Sequence, residues 1–530
     1  MPALSYFDCC CTLGRSLRTN EAQPITPAVL LAEMDHFGIH EALVLDSISI
    51  GNAAAVGNAR ILETTAAHPR LHPAWTAMLP HSRELPAPAD LVAQMREHAV
   101  AALWLFYGQF NLPLEEWSCG ELLAALEDAG CPLFLCPSDL MEPGRIDCTD
   151  WRGVVTLARA FPQLPIVVTE ERIYRSHRGL YEALATCPNL KIDLSALWLA
   201  GRVEFITREF GADRLVWGSH LPDRTPSSMK MQLDYADISD DDHALIAGGN
   251  MRNLLCWNPS ITFADDVALP APIDPLHAAA RDRVHLTSES FYDCHGHIGW
   301  GDPYHVNIDP PEAVVAEMDR LGVRKTFVFG MQLLGDVRFG IDEVASVIRQ
   351  FPDRFVGLSM VNPYNGEQQM LDDLAYGESL GNQGIKLMLN SYGAYDVEGP
   401  LVDVCCKWAS ERGQFILSHY WGSPERLRQL CLDSPDATII VGHTYGGFVD
   451  VFRECPNVFM CTCPLHGWRM AEQFVEMYGA DRMMFGSDLM DLPIAWGLGQ
   501  ILYARISEAE KRLILGENLL ALMKAHGLEG

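Results

Sequence analysis

No apolar run in the chain reaches the ~18–20 residues that a bilayer-spanning helix needs, so no transmembrane segment is expected. Basic residues are scarce, with 39 Lys and Arg against 69 Asp and Glu and a formal charge of −30. Nucleic acid and anionic membrane surfaces both require a positive footprint, so neither is expected as a partner. The opening MPALSYFDCCC lacks the basic segment and apolar core of a secretory signal. Cysteine is plentiful at 16 residues, yet it lacks the dense, even spacing of a small disulfide scaffold. Thiols scattered through a chain of 530 residues fit a reduced, cytoplasmic protein better.

What is present is alternation. Short continuous apolar segments, such as ALWLF, PLFLC and PIVVT, alternate with amphipathic ones such as CGELLAALEDAG, which ends on Gly130. That pattern predicts a parallel sheet covered by helices. Strands are expected at 5–11, 41–47, 101–106, 132–136, 165–169, 191–195 and 214–219 in the first half. In the second half they are expected at 291–297, 325–330, 354–361, 384–389, 414–419, 438–443, 457–463 and 482–488. The two halves repeat each other: YFDC at Tyr6 returns as FYDC at Phe291, AEMD at Ala32 returns at Ala316, and GADR at Gly211 returns at Gly479. WGSH at Trp217 is answered by FGSD at Phe485, and Asn253-Leu254-Leu255 by Asn518-Leu519-Leu520. Two α/β copies of about 250 residues predict two tandem (β/α)8 barrels. A pair of doubly wound open sheets is the alternative. The expected division is 1–258 for the first barrel, 259–289 for a Pro- and Asp-rich linker with a short helix near 277–283, and 290–530 for the second.

The chemistry gathers in the second copy. FYDCHGH, residues 291–297, carries Asp293, His295 and His297 in an Asp-x-His-x-His pattern. Two His at i and i+2 on a strand face one side, which at the C-terminal end of a barrel strand is the mouth where active sites form. His419, His443 and Asp488 end three further expected strands, and Lys386 lies on a fourth. Three imidazoles and a carboxylate are a donor set for Zn²⁺ or another divalent ion such as Mn²⁺, with a position left for water. Cys461 and Cys463 share one face of their strand, for which buried packing is the expected role.

The phrases DCHGH, GIKL, ILSHYWG, IIVGHTYGG and MMFGSD, in this order, resemble the amidohydrolase superfamily. The closer likeness is to its amidohydrolase-related branch, which includes aminocarboxymuconate-semialdehyde decarboxylase and sugar lactonases. The resemblance implies His295, His297, His419 and Asp488 as metal ligands, Asp488 also as proton acceptor, and His443 as an acid or electrophile beside the metal. It leaves Lys386 open between a carbamate bridging two metals and an ammonium binding a substrate carboxylate. Trp300, Tyr304, Arg338, Tyr420, Trp421 and Tyr445 are candidates for substrate contact or for loop packing. The expected activity is metal-dependent hydrolysis of a small polar, carboxylate-bearing or cyclic molecule. Metal-dependent decarboxylation or hydration is the alternative, and a non-catalytic two-barrel scaffold is the alternative of another class.

The first copy departs from the family pattern. Aligning Asp8 with Asp293 sets Cys10 and Thr12 against the two His of strand one. Pro137 then stands against His419, Glu170 against His443, His220 against Asp488 and Trp104 against Lys386. The same metal site is therefore not expected there. In decarboxylases of this kind two subunits pair and one lends an arginine to its neighbour. Arg172, Arg175 and Arg178 follow Glu170, so the two barrels are expected to pair within the chain, with one of these cations lent to the second site and with room for further homo-oligomerisation.

Overall fold

Apolar segments buried on both faces form the parallel strands, and the helices between them cover the outside. The computed structural model describes residues 3–15, 24–137, 149–169, 177–264, 267–299, 310–330, 335–389 and 395–529. Sixteen strands make two eight-stranded parallel sheets, each in sequential order. The first contains β1 (Tyr6–Leu13), β2 (Ile39–Asp46), β3 (Leu71–Thr76), β4 (Ala102–Phe106), β5 (Leu133–Cys136), β6 (Ile166–Val168), β7 (Leu190–Asp193) and β8 (Leu215–Val216). The second contains β9 (Phe291–Ile298), β10 (Val323–Gly330), β11 (Phe355–Met360), β12 (Gly384–Leu387), β13 (Phe415–Ser418), β14 (Thr438–Val441), β15 (Val458–Cys461) and β16 (Met483–Met484). Each ring is completed through its first strand. Cys9 N–H donates to Trp217 O (3.0 Å) and Thr12 N–H to Leu221 O (2.9 Å). In the second sheet Cys294 N–H donates to Phe485 O (2.8 Å) and His297 N–H to Leu489 O (2.9 Å). Both copies are (β/α)8 barrels.

Helix boundaries follow local chemistry. In Pro27–Phe37 the Thr26 hydroxyl accepts from Val29 N–H, Pro27 fills the first turn, and Gly38 ends the helix at φ 75°. The helix Glu116–Ala129 ends likewise on Gly130 at φ 71°. No described helix is long and apolar enough to cross a membrane.

The chain parts into two compact units: Met1–Trp198 with Arg202–Pro272 and Arg281–Arg283, and Leu199–Gly201 with Ile273–Ala280 and Val284–Gly530. Within the expected linker, Ile261 and Phe263 pack against the core of the first unit. A helix forms over Pro275–Arg281.

One irregularity positions the chemistry. Between Asp293 and Gly296, β9 advances three residues while β10 advances two, from Thr326 to Val328. This bulge lets Tyr292 and Cys294 join the barrel core while His295 and His297, one residue out of step, also turn inward. Asp293 holds the bulge: its Oδ1 accepts from His295 N–H and Ser487 N–H (both 3.0 Å), and its Oδ2 from the Ser487 hydroxyl (2.6 Å). The first barrel keeps the same device, with β1 advancing from Asp8 to Cys11 while β2 goes from Ala42 to Val44. Asp8 there accepts from Cys10 N–H (3.1 Å), Ser219 N–H (2.9 Å) and the Ser219 hydroxyl.

Burial pushes the Asp8 carboxyl up to about 6 from 3.8, with the bonds from Ser219 opposing. A carboxyl raised on folding favours the folded state while protonated, so its contribution is full below pH 3.8 and is lost as pH rises through about 6. Asp8→Asn mimics the protonated acid. It is expected to flatten that fall in the denaturation midpoint of the full chain between those pH values, and an unchanged slope refutes the assignment.

The repeat extends to buried ties. Arg214 donates to Leu184 O, Cys187 O and Leu190 O, and Arg482 donates to Phe452 O, Cys455 O and Val458 O. Asn518 Nδ2 donates to Ala480 O and Met483 O, but its counterpart is Asn250, which donates to Ala212 O and Leu215 O. The sequence match with Asn253 is one helical turn out of register.

Candidate metal centre

Alternation along β12 and β13 aims the next groups. Phe415 and Leu417 lie in the core, so His419 continues the inward face at the mouth, and Lys386 lies inward on β12 below Met388. His295 Nδ1–H donates to Gly442 O at 3.0 Å, which leaves Nε2 as the lone pair facing the barrel axis. That nitrogen is 3.3 Å from His419 Nε2 and 3.3 Å from Asp488 Oδ1. His297 Nε2–H donates to Asp488 Oδ1 at 3.1 Å. His443 stacks on His419 with ring centroids 3.8 Å apart, and its Nε2 is 4.0 Å from Asp488 Oδ2. Lys386 Nζ lies 2.7 Å from His419 Nε2 and 3.4 Å from His295 Nε2.

Burial, reinforced by Lys386, holds His295 well below its ordinary pKa. Burial, reinforced by His443, does the same to His419. Both rings are thus neutral, with lone pairs to give. Burial works against a charged Asp488, but His295 and the bond from His297 outweigh it and hold its carboxyl well below the usual range. Burial pushes the Lys386 ammonium down to about 7, with the Asp488 carboxylate opposing. Asp488 itself sits at φ 58°, a left-handed conformation that an L-residue adopts at a cost, held by its N–H bond to His295 O (2.8 Å).

The residues fit a divalent metal. His297 Nδ1 is buried without a hydrogen-bond partner, and the His295 and His297 imidazoles meet one oxygen of the Asp488 carboxylate. Three groups have donor atoms within 4.8 Å of one another: His295 with His419 and His443, His295 with His297 and Asp488, and His443 with Cys463 and Asp488. His295 and Asp488 link the groups. Cys463 is the member that the sequence reading assigned to packing; its place on the strand-end segment after β15 was the available signal. Asp491, three residues beyond Asp488, was missed altogether. Burial and the Asp488 charge push its carboxyl well above the usual range.

The other candidates divide. Trp300, Tyr304, Arg172 and Arg175 lie outside the described residues. Tyr420 and Tyr445 are exposed, whereas Trp421 is fully buried and donates Nε1–H to Ile440 O (2.9 Å), which makes it packing. Arg338 donates to Asp373 (2.8 Å) and lies over the Tyr376 ring, a tie between outer helices. Arg178 is an exposed residue on the helix His177–Thr186.

The sequence profile described as Amidohydrolase matches residues 18–255 and 292–522, nearly the whole of both barrels. The chain belongs to the amidohydrolase family. No curated protein matches it in sequence. Among solved structures, a TIM-barrel protein from Bordetella bronchiseptica is 19% identical, with TM-score 0.39, covering 48% of this chain and 100% of its own. A 5-carboxyvanillate decarboxylase from Sphingomonas paucimobilis is 17% identical, with TM-score 0.35, covering 48% of this chain and 99% of its own. A 2,6-dihydroxybenzoate decarboxylase from Rhizobium is 16% identical, with TM-score 0.34, covering 45% and 99%. Each of these single chains covers about half of this chain.

Between its two barrels the ligand positions differ, and strand register corrects one sequence assignment. Trp104 of β4 pairs with Phe134 and Phe106 with Cys136, while Lys386 of β12 pairs with Leu417 and Leu387 with Ser418. With Trp104 set on Lys386, Cys136 and not Pro137 stands where His419 stands. By the same counting from β7 and β15, Asp193 stands where Cys461 stands.

Proposed function

We propose that the second barrel is a metal-dependent hydrolase site for a small polar molecule, carboxylate-bearing or cyclic. The observation that carries this reading is Asp488: a buried carboxylate that touches two imidazoles on one oxygen and faces His443 with the other. His295, His297, His419 and Asp488 would hold the ion, zinc or manganese, with Cys463 in reach as a further donor. When bound, the ion supplies a Lewis acid that makes water acidic enough to react near pH ~7. Asp488 accepts the proton of the attacking water, since its carboxylate lies between the two imidazoles of β9 and His443. His443, stacked on His419, is placed to donate to the oxygen that gains charge.

Lys386 supports a second reading, non-oxidative decarboxylation. A buried amine among the imidazoles offers an anchor for a substrate carboxylate. A panel of lactones, esters and amides run beside unsaturated and aromatic carboxylic acids separates the two. Acid release from the first group supports hydrolysis, and CO2 release from the second supports decarboxylation. Lys386→Met is expected to raise KM for a carboxylate substrate about tenfold or more while metal content stays near that of the parent. An unchanged KM removes Lys386 from binding. Absence of any turnover by metal-loaded protein across both groups favours the scaffold alternative.

A further inference from the structure

Three residues at the strand ends of the first barrel form a hydrogen-bonded chain of their own. Cys10 stands where His295 stands, His220 where Asp488 stands and Asp193 where Cys461 stands, and these three are hydrogen-bonded in a chain. Asp193 Oδ2 lies 2.8 Å from His220 Nε2, and His220 Nδ1 lies 3.3 Å from Cys10 Sγ. A carboxylate only accepts, so His220 Nε2 carries the proton and Nδ1 presents its lone pair to the Cys10 thiol. The two partners use opposite nitrogens of one ring, which makes a relay and not a convergent metal cluster. Asp193 is fixed in turn by Ser195 N–H (2.9 Å) and the Ser195 hydroxyl (2.5 Å), and Arg224 donates to Ser195 O (2.8 Å).

His220 keeps the left-handed backbone of its counterpart, at φ 59°, so the strained strand-end position survives with a new side chain. The neighbourhood is apolar and flat. Trp104 stacks on Phe134 and Phe106, with centroids 4.9 and 5.5 Å away, in the cluster that includes Cys10. The indole Nε1 of Trp104 is buried with no hydrogen-bond partner.

We propose that the mouth of the first barrel is a second, metal-independent active site, in which Cys10 is the nucleophile and His220 its base for hydrolysis of small activated acyl compounds, esters or thioesters. Asp193 is a positioning residue that sets the His220 tautomer. The Cys10 proton passes to His220 Nδ1 as the sulfur bonds to the carbonyl carbon and the carbonyl electron pair moves to oxygen. Collapse breaks the bond to the leaving alkoxide or thiolate, which takes the proton from His220. Water then attacks the acyl-cysteine, giving one proton to His220. The sulfur–carbon bond breaks, the carboxylic acid departs, and the thiol regains its proton. Burial, with Asp193 adding to it, pushes the Cys10 thiol well above its ordinary pKa, so the resting group is a thiol that needs this base.

The test uses the full chain with Cys256→Ala, which removes an exposed thiol, together with Asp488→Asn and EDTA to silence the second barrel. The probe is p-nitrophenyl acetate. A burst of about one p-nitrophenolate per chain is expected, with acetyl on the peptide bearing Cys10. Cys10→Ser and His220→Asn should each slow acylation by ~10²–10⁴-fold; Asn suits the positive φ at 220. Asp193→Asn should slow it by a similar factor and displace the pH profile, which a merely structural role would not do. No burst, acetyl on another cysteine, or an unchanged rate in folded His220→Asn overturns the proposal. The position of the acetyl group needs none of the relay variants, so it decides even where one fails to fold.

Discussion

Asp488→Asn is expected to lower kcat by ~10³-fold or more on any substrate of the second barrel, within the range for loss of a general base. The substitution keeps the shape of the side chain, and because Asp488 is also a proposed ligand the variant is assayed after its metal content has been matched to the parent. Asparagine tolerates the left-handed φ of 58° at this position better than most residues. Its amide oxygen can still accept from His297 Nε2–H, now 3.1 Å from Oδ1. What it cannot do is take a proton. The loss should therefore fall on kcat, with KM within a few-fold and the far-ultraviolet spectrum unchanged. The same outcome is expected under the decarboxylation reading, where a proton must also be moved at this point. Near-normal turnover in a folded, metal-loaded variant would remove Asp488 from the chemistry under both.

The parts legible in the sequence are those that follow one rule at a time. Alternating apolar and amphipathic segments give both barrels, and strand ends give His295, His297, His419, His443 and Asp488, which the structure brings together in overlapping groups. What was missed depends on exceptions. β3, LHPAWT, contains Pro73, which removes a ladder donor and argues against a strand. In the barrel its carbonyl still accepts from Ala101 N–H at 2.8 Å, so the strand pairs through the half of the ladder that proline leaves intact. Cys136 was displaced by one residue because a short apolar strand carries no internal mark of its register, which only pairing with β4 supplies. The pairing of Asn253 with Asn518 failed for a related reason: two asparagines one helical turn apart look equivalent in a string, but only Asn250 reaches the carbonyls of Ala212 and Leu215.

Asp293 belongs to neither category. It was legible as a motif residue, but not for what it does. Its carboxyl ties Ser487 to the bulge in β9, and the preceding barrel preserves that tie through Asp8 and Ser219 although its ligands have changed. The clamp sets where the two positions at the mouth stand, whatever side chains fill them. An imidazole and a carboxylate there are the metal donors proposed for the second barrel, and a thiol and an imidazole are the relay proposed for the first. One backbone device thus underlies both readings of the two barrels.

His295→Ala is expected to abolish metal binding in the intact chain, whereas Cys10→Ala at the equivalent position of the first barrel leaves it at about one divalent ion per chain. His295 takes part in two of the three candidate donor sets, as do His443 and Asp488, but of these three it is the fully buried one. Its Nε2 meets His419 Nε2 and Asp488 Oδ1, both at 3.3 Å. Without it, Lys386 Nζ, 2.7 Å from His419 Nε2, is left as the nearest partner of that ring, and a cation there competes with any ion. Elemental analysis after dialysis reads the stoichiometry, and thermal unfolding reads the linkage. An ion present at ~100 times its Kd stabilises by ~2.7 kcal/mol, so EDTA should lower the melting temperature of the parent chain and of Cys10→Ala. It should leave His295→Ala, already without the ion, where it was. Metal retained at parental level in His295→Ala, or lost in folded Cys10→Ala, places the ion elsewhere and removes the basis for the hydrolase reading. A parent chain that EDTA does not shift and that carries no metal after expression in zinc- or manganese-supplemented medium does the same.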